Sequence, residues 1–424
     1  MNRWIGILLI ALCVMPSPLR AAEPRVSAEE SDLIESARML GEEGRHTEAL
    51  ALVRGSAGPS SSAAVDFVLG NLHAQVEEWG EAENAYRAAL QKDPEFTQAQ
   101  GRLLMVLLAQ HRGKDAVEEA KRLLQKDDLS TSQYMLAGAA YLLEGHTIGA
   151  ETAFRQALLK DPSESAALEG LADTLIAQQR YPEAEVLLAR LLEEDPGRTV
   201  LWLARADLAL AMGQTLRALV CLETAYRLGA LDQENLWTLG DLRLSEGQSA
   251  DAVKAYQEAL SLTGSEGQQK ALDALERLLQ SGDTEQAVAW LNHLKGSEKL
   301  PDLENSVRLC WAEAELARMH EDWNAALAGY QSVVRQEPLN AKALLRLGDV
   351  YVVLNRLEDA ELTYERAGRI EGFEAKALIG RARIQVQRGD YTQAVSLLED
   401  SQALDPQKHV AQYLERIQAI SQSE

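Results

Sequence analysis

Aromatic residues are scarce in this chain: they make up 5% of its 424 residues, although 46% of the residues are hydrophobic. So few large rings disfavour a single large globular core. No long stretch alternates apolar and polar residues with a period of two, which excludes an extended sheet. The abundant Ala, Leu, Glu and Arg instead favour helices that pack through many small contacts.

Positive charge is also scarce. The chain has 42 Lys and Arg against 65 Asp and Glu, and its formal net charge is −23. Because nucleic-acid binding depends on cationic neutralisation of phosphates, this balance predicts no nucleic-acid partner. Anionic lipid headgroups would be repelled for the same reason. The simplest consequence of the charge is a soluble chain.

Long apolar runs are missing after the first residues. Residues 1–22 begin with a short positive start at Asn2-Arg3, and the apolar run Ile5–Met15 is too short to span a bilayer. Ala21-Ala22 then offers the small residues of a cleavage site. This arrangement predicts a signal peptide over residues 1–22, and no membrane span remains after its removal.

A signal peptide predicts a periplasmic or secreted protein. Lipid attachment at Cys13 is disfavoured, because Leu12 occupies the position where a small residue is needed.

Catalytic patterns are missing too. The chain has no glycine-rich phosphate loop and no G-x-S-x-G nucleophile turn. Its seven histidines are scattered along the chain, so that they do not form a metal-ligand set. We therefore expect no catalytic residue, no cofactor and no metal, and we expect that the protein is not an enzyme.

A period of 34 residues is the dominant positive signal. Alanines return at intervals of 33 to 39 residues, most often 34, at these positions: Ala49, Ala82, Ala116, Ala150, Ala184, Ala218, Ala252, Ala287, Ala326, Ala360 and Ala394. Such a period indicates stacked pairs of short helices.

Residues 131–164 show the pattern most clearly. Their first half has Tyr134, Ala137, Gly138 and Tyr141 at helical spacing, Gly145 ends that helix, and the second half has Ala150, Phe154 and Ala157 on one side before Pro162. Two antiparallel helices are predicted for each unit, because neither helix can bury its apolar side alone.

This unit resembles the tetratricopeptide repeat family. Parts of its pattern recur as Leu69-Gly70 with Tyr86, Leu239-Gly240 with Tyr256, and Leu347-Gly348 with Tyr364. The resemblance implies an all-α fold, a right-handed α-solenoid of antiparallel helix pairs. It also implies that ligands lie along a concave face formed by the first helix of each pair.

Repeat positions divide the chain into six segments. Residues 1–22 are the signal peptide, 23–62 a lead-in with a degenerate first helix pair and a Gly/Ser/Pro connector, 63–296 seven repeats, 297–306 a linker, 307–408 three repeats, and 409–424 a C-terminal capping helix. Cys221 and Cys310 lie about 25 Å apart in such a stack, too far for a disulfide, and we expect two buried free thiols.

Carboxylates occupy the ninth position of six consecutive repeats. This carboxylate row consists of Asp173, Asp207, Asp241, Glu276, Glu315 and Asp349, and Trp237 and Trp311 stand at fifth positions on the same predicted face. One interpretation is an acidic track with two aromatic anchors for a basic or amine-bearing protein segment. The alternative is structural: in the family such acids often bond to the neighbouring helix, and each Trp packs over its own helix.

The leading functional hypothesis is an exported, non-catalytic scaffold that binds a protein or peptide partner in its concave groove. A second hypothesis is a carbohydrate-handling scaffold for envelope polysaccharide assembly or export, a role that exported relatives with this architecture perform. Both follow from the resemblance, and carboxylates with tryptophans are compatible with either ligand.

Overall fold

The computed structural model describes residues 24–229, 231–262, 267–297, 300 and 306–422. Within those residues there are 23 helices and no strand. Within each compact unit, consecutive helices pack against each other, most of them across short turns, as antiparallel neighbours do. The predicted all-α solenoid of antiparallel helix pairs is confirmed.

The helices form two compact units, which meet in the sequence between Leu228 and Gly229. The first unit contains α1 (Ala28–Glu42), α2 (His46–Arg54), α3 (Ala63–Gln75), α4 (Trp79–Lys92), α5 (Thr97–Ala109), α6 (Gly113–Leu123), α7 (Thr131–Leu143), α8 (Thr147–Lys160), α9 (Ser165–Ala177), α10 (Tyr181–Glu194), α11 (Thr199–Ala211) and α12 (Thr215–Arg227).

The second unit contains the remaining described helices. These are α13 (Gln233–Ser245), α14 (Ser249–Leu262), α15 (Gln268–Ser281), α16 (Thr284–Lys295), α17 (Val307–Met319), α18 (Trp323–Gln336), α19 (Ala341–Val353), α20 (Leu357–Gly368), α21 (Glu374–Arg388), α22 (Tyr391–Leu404) and α23 (Lys408–Ser421). The final helix, α23, packs against α22.

Local sequence explains where these helices begin and end. Helix α7 begins at a capping box, in which the Ser130 side chain accepts from the backbone of Gln133 and the Gln133 side chain accepts from the backbone of Ser130. The chain leaves the same helix through Gly145, whose φ of +75° suits glycine. Turns of this kind are short, and therefore bring each helix back beside the previous one.

The periodic alanines lie at the centre of the helix pairs. Every alanine of the 34-residue series, from Ala49 to Ala394, is fully buried. A methyl side chain lets two helices approach closely, so that apolar side chains around it interdigitate. The core is therefore spread along the chain as a succession of helix–helix contacts.

Glycines of the first helices face aromatic rings of the second helices. A Cβ on Gly138 would lie 2.9 Å from the Phe154 ring, and a Cβ on Gly240 would overlap the Tyr256 ring. The rings of Phe154 and Tyr256 are fully buried or nearly so. The glycine therefore provides the space that the aromatic residue fills.

Two sequence predictions fall outside these observations. The signal peptide at 1–22 lies outside the described residues, as does most of the linker at 297–306. Among the helices that the structure describes, none combines the length and the apolarity that crossing a membrane requires.

Candidate functional site

Trp237 lies in the core of the second unit and is only 5% exposed. Its ring packs 5.6 Å from the Tyr256 ring and 6.3 Å from the Trp290 ring, measured between centroids. The expectation that Trp237 offers an aromatic anchor on an open face is thus wrong. The physical reason is that Trp237, Tyr256 and Trp290 form a cluster of three large rings, in which Tyr256 fills the space beside Gly240.

Asp241 on α13 accepts hydrogen bonds from the two helices that follow, α14 and α15. Its Oδ1 accepts a hydrogen bond from the Tyr256 hydroxyl at 2.8 Å, which links α13 to α14. The Arg277 guanidinium of α15 donates to Oδ1 at 2.6 Å and to Oδ2 at 2.7 Å. Burial and the Asp241 carboxylate raise the pKa of Tyr256, so that its hydroxyl stays protonated and donates.

Glu315 has the same kind of surroundings as Asp241. Its Oε1 accepts from the Tyr330 hydroxyl at 2.8 Å, and its Oε2 accepts from Arg318 at 2.8 Å. Arg346 of α19 lies 3.1 Å from Oε1. Burial and Glu315 raise the pKa of Tyr330, which keeps this donor protonated.

Asp349 repeats the arrangement in the next helix pair. Its Oδ1 accepts from the Tyr364 hydroxyl at 2.8 Å and from Arg383 of α21 at 3.4 Å. Burial and Asp349 raise the pKa of Tyr364. Each of these three carboxylates thus joins a tyrosine of its own helix pair to an arginine of the following first helix.

Glu276 is bonded without a tyrosine. Arg308 of α17 donates from Nε to Glu276 at 2.6 Å and from Nη2 to Asp273 at 2.7 Å. Leu291 stands fifteen residues after Glu276, where the helix pairs of Asp241, Glu315 and Asp349 have tyrosine. The bond to the next helix is therefore kept while the bond within the pair is lost.

The two carboxylates in the first unit differ from those of the second. Asp173 on α9 is half-buried, and burial with the neighbouring Glu169 carboxylate raises its pKa to about 7. Asp207 on α11 is exposed. Leucines, Leu188 and Leu222, stand fifteen residues after them, at the position where the helix pairs of Asp241, Glu315 and Asp349 have tyrosine.

Sequence reasoning identified the carboxylates and missed their partners. The missed signal is a tyrosine fifteen residues after the acid, which is present as Tyr256, Tyr330 and Tyr364. The same spacing joins Asn71 to Tyr86 in the first unit, where the hydroxyl donates at 2.8 Å. In the second unit these contacts match the structural interpretation of the row, because the oxygens are already engaged within the fold.

Trp311, unlike Trp237, reaches the surface of the second unit. It is half-buried on α17, and its ring meets the Tyr330 ring edge-on at 5.5 Å between centroids. Leu345 on α19 and Ile379 on α21 follow at intervals of 34 residues and are also half-buried. The Arg346–Glu315 ion pair joins α19 to α17, and the Arg383–Asp349 ion pair joins α21 to α19.

We define the inner face of the second unit as the surface formed by Trp311, Leu345, Ile379, Lys342 and Lys376. Lys342 lies one helical turn before Leu345, and Lys376 lies one turn before Ile379. Both lysines are exposed. In the part of the chain that the structure describes, no group of three or more His, Cys, Asp or Glu residues is placed to hold a metal ion. The inner face thus combines half-buried apolar side chains with charged ones.

Cys221 and Cys310 are both free thiols, as expected. Cys221 is buried, and burial raises the pKa of its thiol. Cys310 is half-buried rather than buried as expected, and its Sγ accepts weakly from Ser332 Oγ at 3.8 Å.

Family models match most of the repeat region. Three models, each described as tetratricopeptide repeat, match residues 141–208, residues 67–131, 203–268 and 312–372, and residues 377–410 respectively. Together the matches cover more than half of the chain. No curated protein matches it.

Solved structures with a similar arrangement include three helical-repeat proteins. Yeast Tom70 is 12% identical over 92% of this chain and 96% of its own, with a TM-score of 0.38. Cut9–Hcn1 of the APC/C hetero-tetramer is 15% identical over 91% and 83%, with a TM-score of 0.35. A tetratricopeptide repeat protein from Parabacteroides merdae is 16% identical over 68% and 98%, with a TM-score of 0.30. At these values the likenesses carry no argument about ligands.

Proposed function

The chain belongs to the tetratricopeptide repeat proteins, and we propose that it is an exported, non-catalytic scaffold that binds a protein segment on the inner face of the second unit. Repeats of this family support protein–protein interaction. The export, the absence of catalysis and the choice of surface are parts of the proposal.

The row of half-buried apolar side chains on the inner face carries this proposal. Trp311, Leu345 and Ile379 occupy equivalent positions on three successive first helices, so that they form one line. Each already rests partly on the core, and a bound segment would remove the remaining apolar area from water. Tryptophan is also among the residues that contribute most to protein interfaces.

The carboxylate row does not compete for this role in the second unit. Asp241, Glu315 and Asp349 already accept hydrogen bonds from a tyrosine and an arginine. A basic ligand would have to displace those arginines before it gained a carboxylate. The apolar line needs no such exchange.

The test compares partners captured by the wild type and by Trp311→Ala. The matched control is Trp323→Ala, because Trp323 is also half-buried and begins the second helix of the same pair. We expect Trp311→Ala to lose at least one partner protein from an envelope extract of the source cells, while the control keeps it. Circular dichroism of both variants checks that they remain folded.

An unchanged partner set in folded Trp311→Ala would overturn the assignment of this face. A glycan array run with the same two variants separates the carbohydrate alternative. Trp311-dependent glycan binding without a protein partner would replace the proposed function by that alternative.

The export proposal depends on residues 1–22. If they act as a signal peptide, the protein recovered from the source cells begins close to Ala22 or Glu23. Mass determination of the mature N-terminus measures this directly. A mature chain that retains Met1–Met15 would contradict export by this route.

A further inference from the structure

The charges on the inner face of the second unit are unequal. On α17, α19 and α21 its two carboxylates are Glu315 and Asp349, and both are engaged by tyrosine and arginine. The same helices carry two further carboxylates, Glu313 and Glu374, and these eight cations: Arg308, Arg318, Lys342, Arg346, Lys376, Arg381, Arg383 and Arg388. Arg308 pairs with Asp273 and Glu276, while Arg381 and Arg388 pair with carboxylates of α20. The surface is thus locally basic on a chain whose net charge is −23.

Two of these cations have no carboxylate partner. Among the described residues, no carboxylate lies within ion-pair distance of Lys342 or Lys376, and both side chains are exposed. Lys376 instead lies over the Phe373 ring, with 5.4 Å from Nζ to the ring centroid. The two ammonium groups are therefore available to an anionic ligand.

Two arginines, Arg346 and Arg383, contribute further positive charge beside the two lysines, although each is partly neutralised by a carboxylate. Arg346 is 44% exposed and shares Glu315 with Arg318 and Tyr330. Arg383 is 55% exposed and reaches Asp349 at 3.4 Å. Each guanidinium has five N–H donors. Arg346 meets Glu315 through Nε and Asp349 through Nη1, and Arg383 meets Asp349 through Nη1 alone, so that donors remain for a second anion.

Helical geometry places these four cations together. Lys342 and Arg346 are four residues apart on α19, and Lys376 and Arg383 are seven apart on α21, so that each pair shares a side of its helix. Arg383 contacts Asp349 of α19, which shows that these sides of α19 and α21 adjoin. Adjacent packed helices lie about 8–10 Å apart, and Lys342 and Lys376 stand at equivalent positions across that gap.

We propose that this basic part of the inner face, Lys342, Arg346, Lys376 and Arg383, binds an acidic protein segment. An extended chain advances about 3.3 Å per residue, so that carboxylates three residues apart match the spacing of the two lysines. The apolar residues between them would rest on Leu345 and Ile379. This inference rests on the proposed function and names the chemistry of its partner, which is the opposite of the basic partner predicted from the carboxylate row.

The overall negative charge does not prevent such binding. At physiological ionic strength the Debye length is about 8 Å, so that distant carboxylates of the chain are largely screened. Contacts at ion-pair distance are screened much less. The local excess of cations therefore decides which segment the face accepts.

The test uses three fluorescein-labelled twelve-residue peptides as probes, titrated in about 0.15 M salt with the full mature chain and followed by fluorescence anisotropy. The first repeats Glu-Ser-Leu, the second repeats Lys-Ser-Leu, and the third has the composition of the first with its four glutamates contiguous. We expect the first to bind most tightly and the second not to bind.

The decisive variant is Lys342→Glu/Lys376→Glu. We expect it to weaken binding of the first peptide about tenfold or more, because each reversal removes an attraction and adds a repulsion. The matched control is Lys114→Glu/Lys254→Glu, which changes the net charge equally at exposed positions on α6 and α14. The control should bind as the wild type does.

The outcomes separate this inference from the proposed function. Equal binding of the acidic and basic peptides, or equal loss in the variant and the control, overturns the acidic-segment inference. A Trp311-dependent protein partner found together with either result leaves the scaffold proposal standing. Absence of both the peptide binding and the partner overturns both.

Discussion

For Asp241, the sequence predicted the position in the repeat but not the side chains that it contacts. Its position in the carboxylate row follows from the repeat period alone. Its partners do not, because Tyr256 belongs to the second helix and Arg277 lies 36 residues later. The corresponding arginines of Glu315 and Asp349 are Arg346 and Arg383, at other separations, so that no fixed spacing reveals them.

Replacement of Tyr256 by Phe tests the bond to Asp241. The variant removes one hydroxyl that donates to a carboxylate, while both oxygens of Asp241 keep their hydrogen bonds from Arg277 Nη1. We expect the free energy of unfolding to fall by about 1–2 kcal/mol, within the range for hydrogen bonds to charged groups. Urea unfolding followed by circular dichroism measures it.

Tyr391→Phe is the matched control for this measurement. Tyr391 is half-buried at the start of α22, and no carboxylate bond to its hydroxyl is present among the described residues. Its change should stay within about 0.5 kcal/mol. If the two variants unfolded at the same urea concentration, the tyrosine–carboxylate bonds would not stabilise the fold.

At the scale of the helices, glycine and aromatic residues act as pairs. Gly240 and Gly348 on first helices face the rings of Tyr256 and Tyr364 on second helices. The sequence pattern predicted the antiparallel helix pairs, and the structure shows that a ring of the second helix fills the space beside a glycine of the first. The sequence pattern did not predict the burial of Trp237. A fifth position lies at the edge of the packed side, so that the neighbouring rings determine whether its side chain is buried or exposed.

Gly240→Ala and Gly80→Ala should have opposite effects on stability. Helix propensity alone favours alanine over glycine by about 1 kcal/mol. At Gly80 of α4 no atom lies within 4 Å of the new Cβ, so that we expect Gly80→Ala to raise the free energy of unfolding by up to about 1 kcal/mol. At Gly240 the Cβ would overlap the Tyr256 ring, and we expect a net loss of about 1–3 kcal/mol from overpacking.

Thermal or urea unfolding of the two glycine variants and the wild type measures whether each variant is more or less stable than the wild type. Stabilisation by Gly240→Ala would show that the ring can move away at little cost. The close packing of glycine against tyrosine would then not be what fixes the helix pair.

At the scale of the whole molecule, the 34-residue period was enough to predict the all-α class and the helix pairs. The division into two units between Leu228 and Gly229 was not predictable, because the repeat register continues through it without a slip. The linker predicted at 297–306 lies largely outside the described residues. Of the function, only the class that the family implies, a protein-interaction scaffold, was predictable. The chemistry of the partner was not, because it depends on which surface charges are already paired within the fold.

The scaffold proposal requires that a protein contact the inner face of the second unit in the cell. A photo-crosslinking amino acid at position 345, in place of Leu345, tests this directly in the source organism, and the same amino acid in place of the exposed Lys254 on α14 is the control. We predict a discrete crosslinked protein from position 345 and none from position 254, and the captured peptide should be rich in Asp or Glu. Absence of a crosslink at position 345, or the same adducts at both positions, would contradict the account.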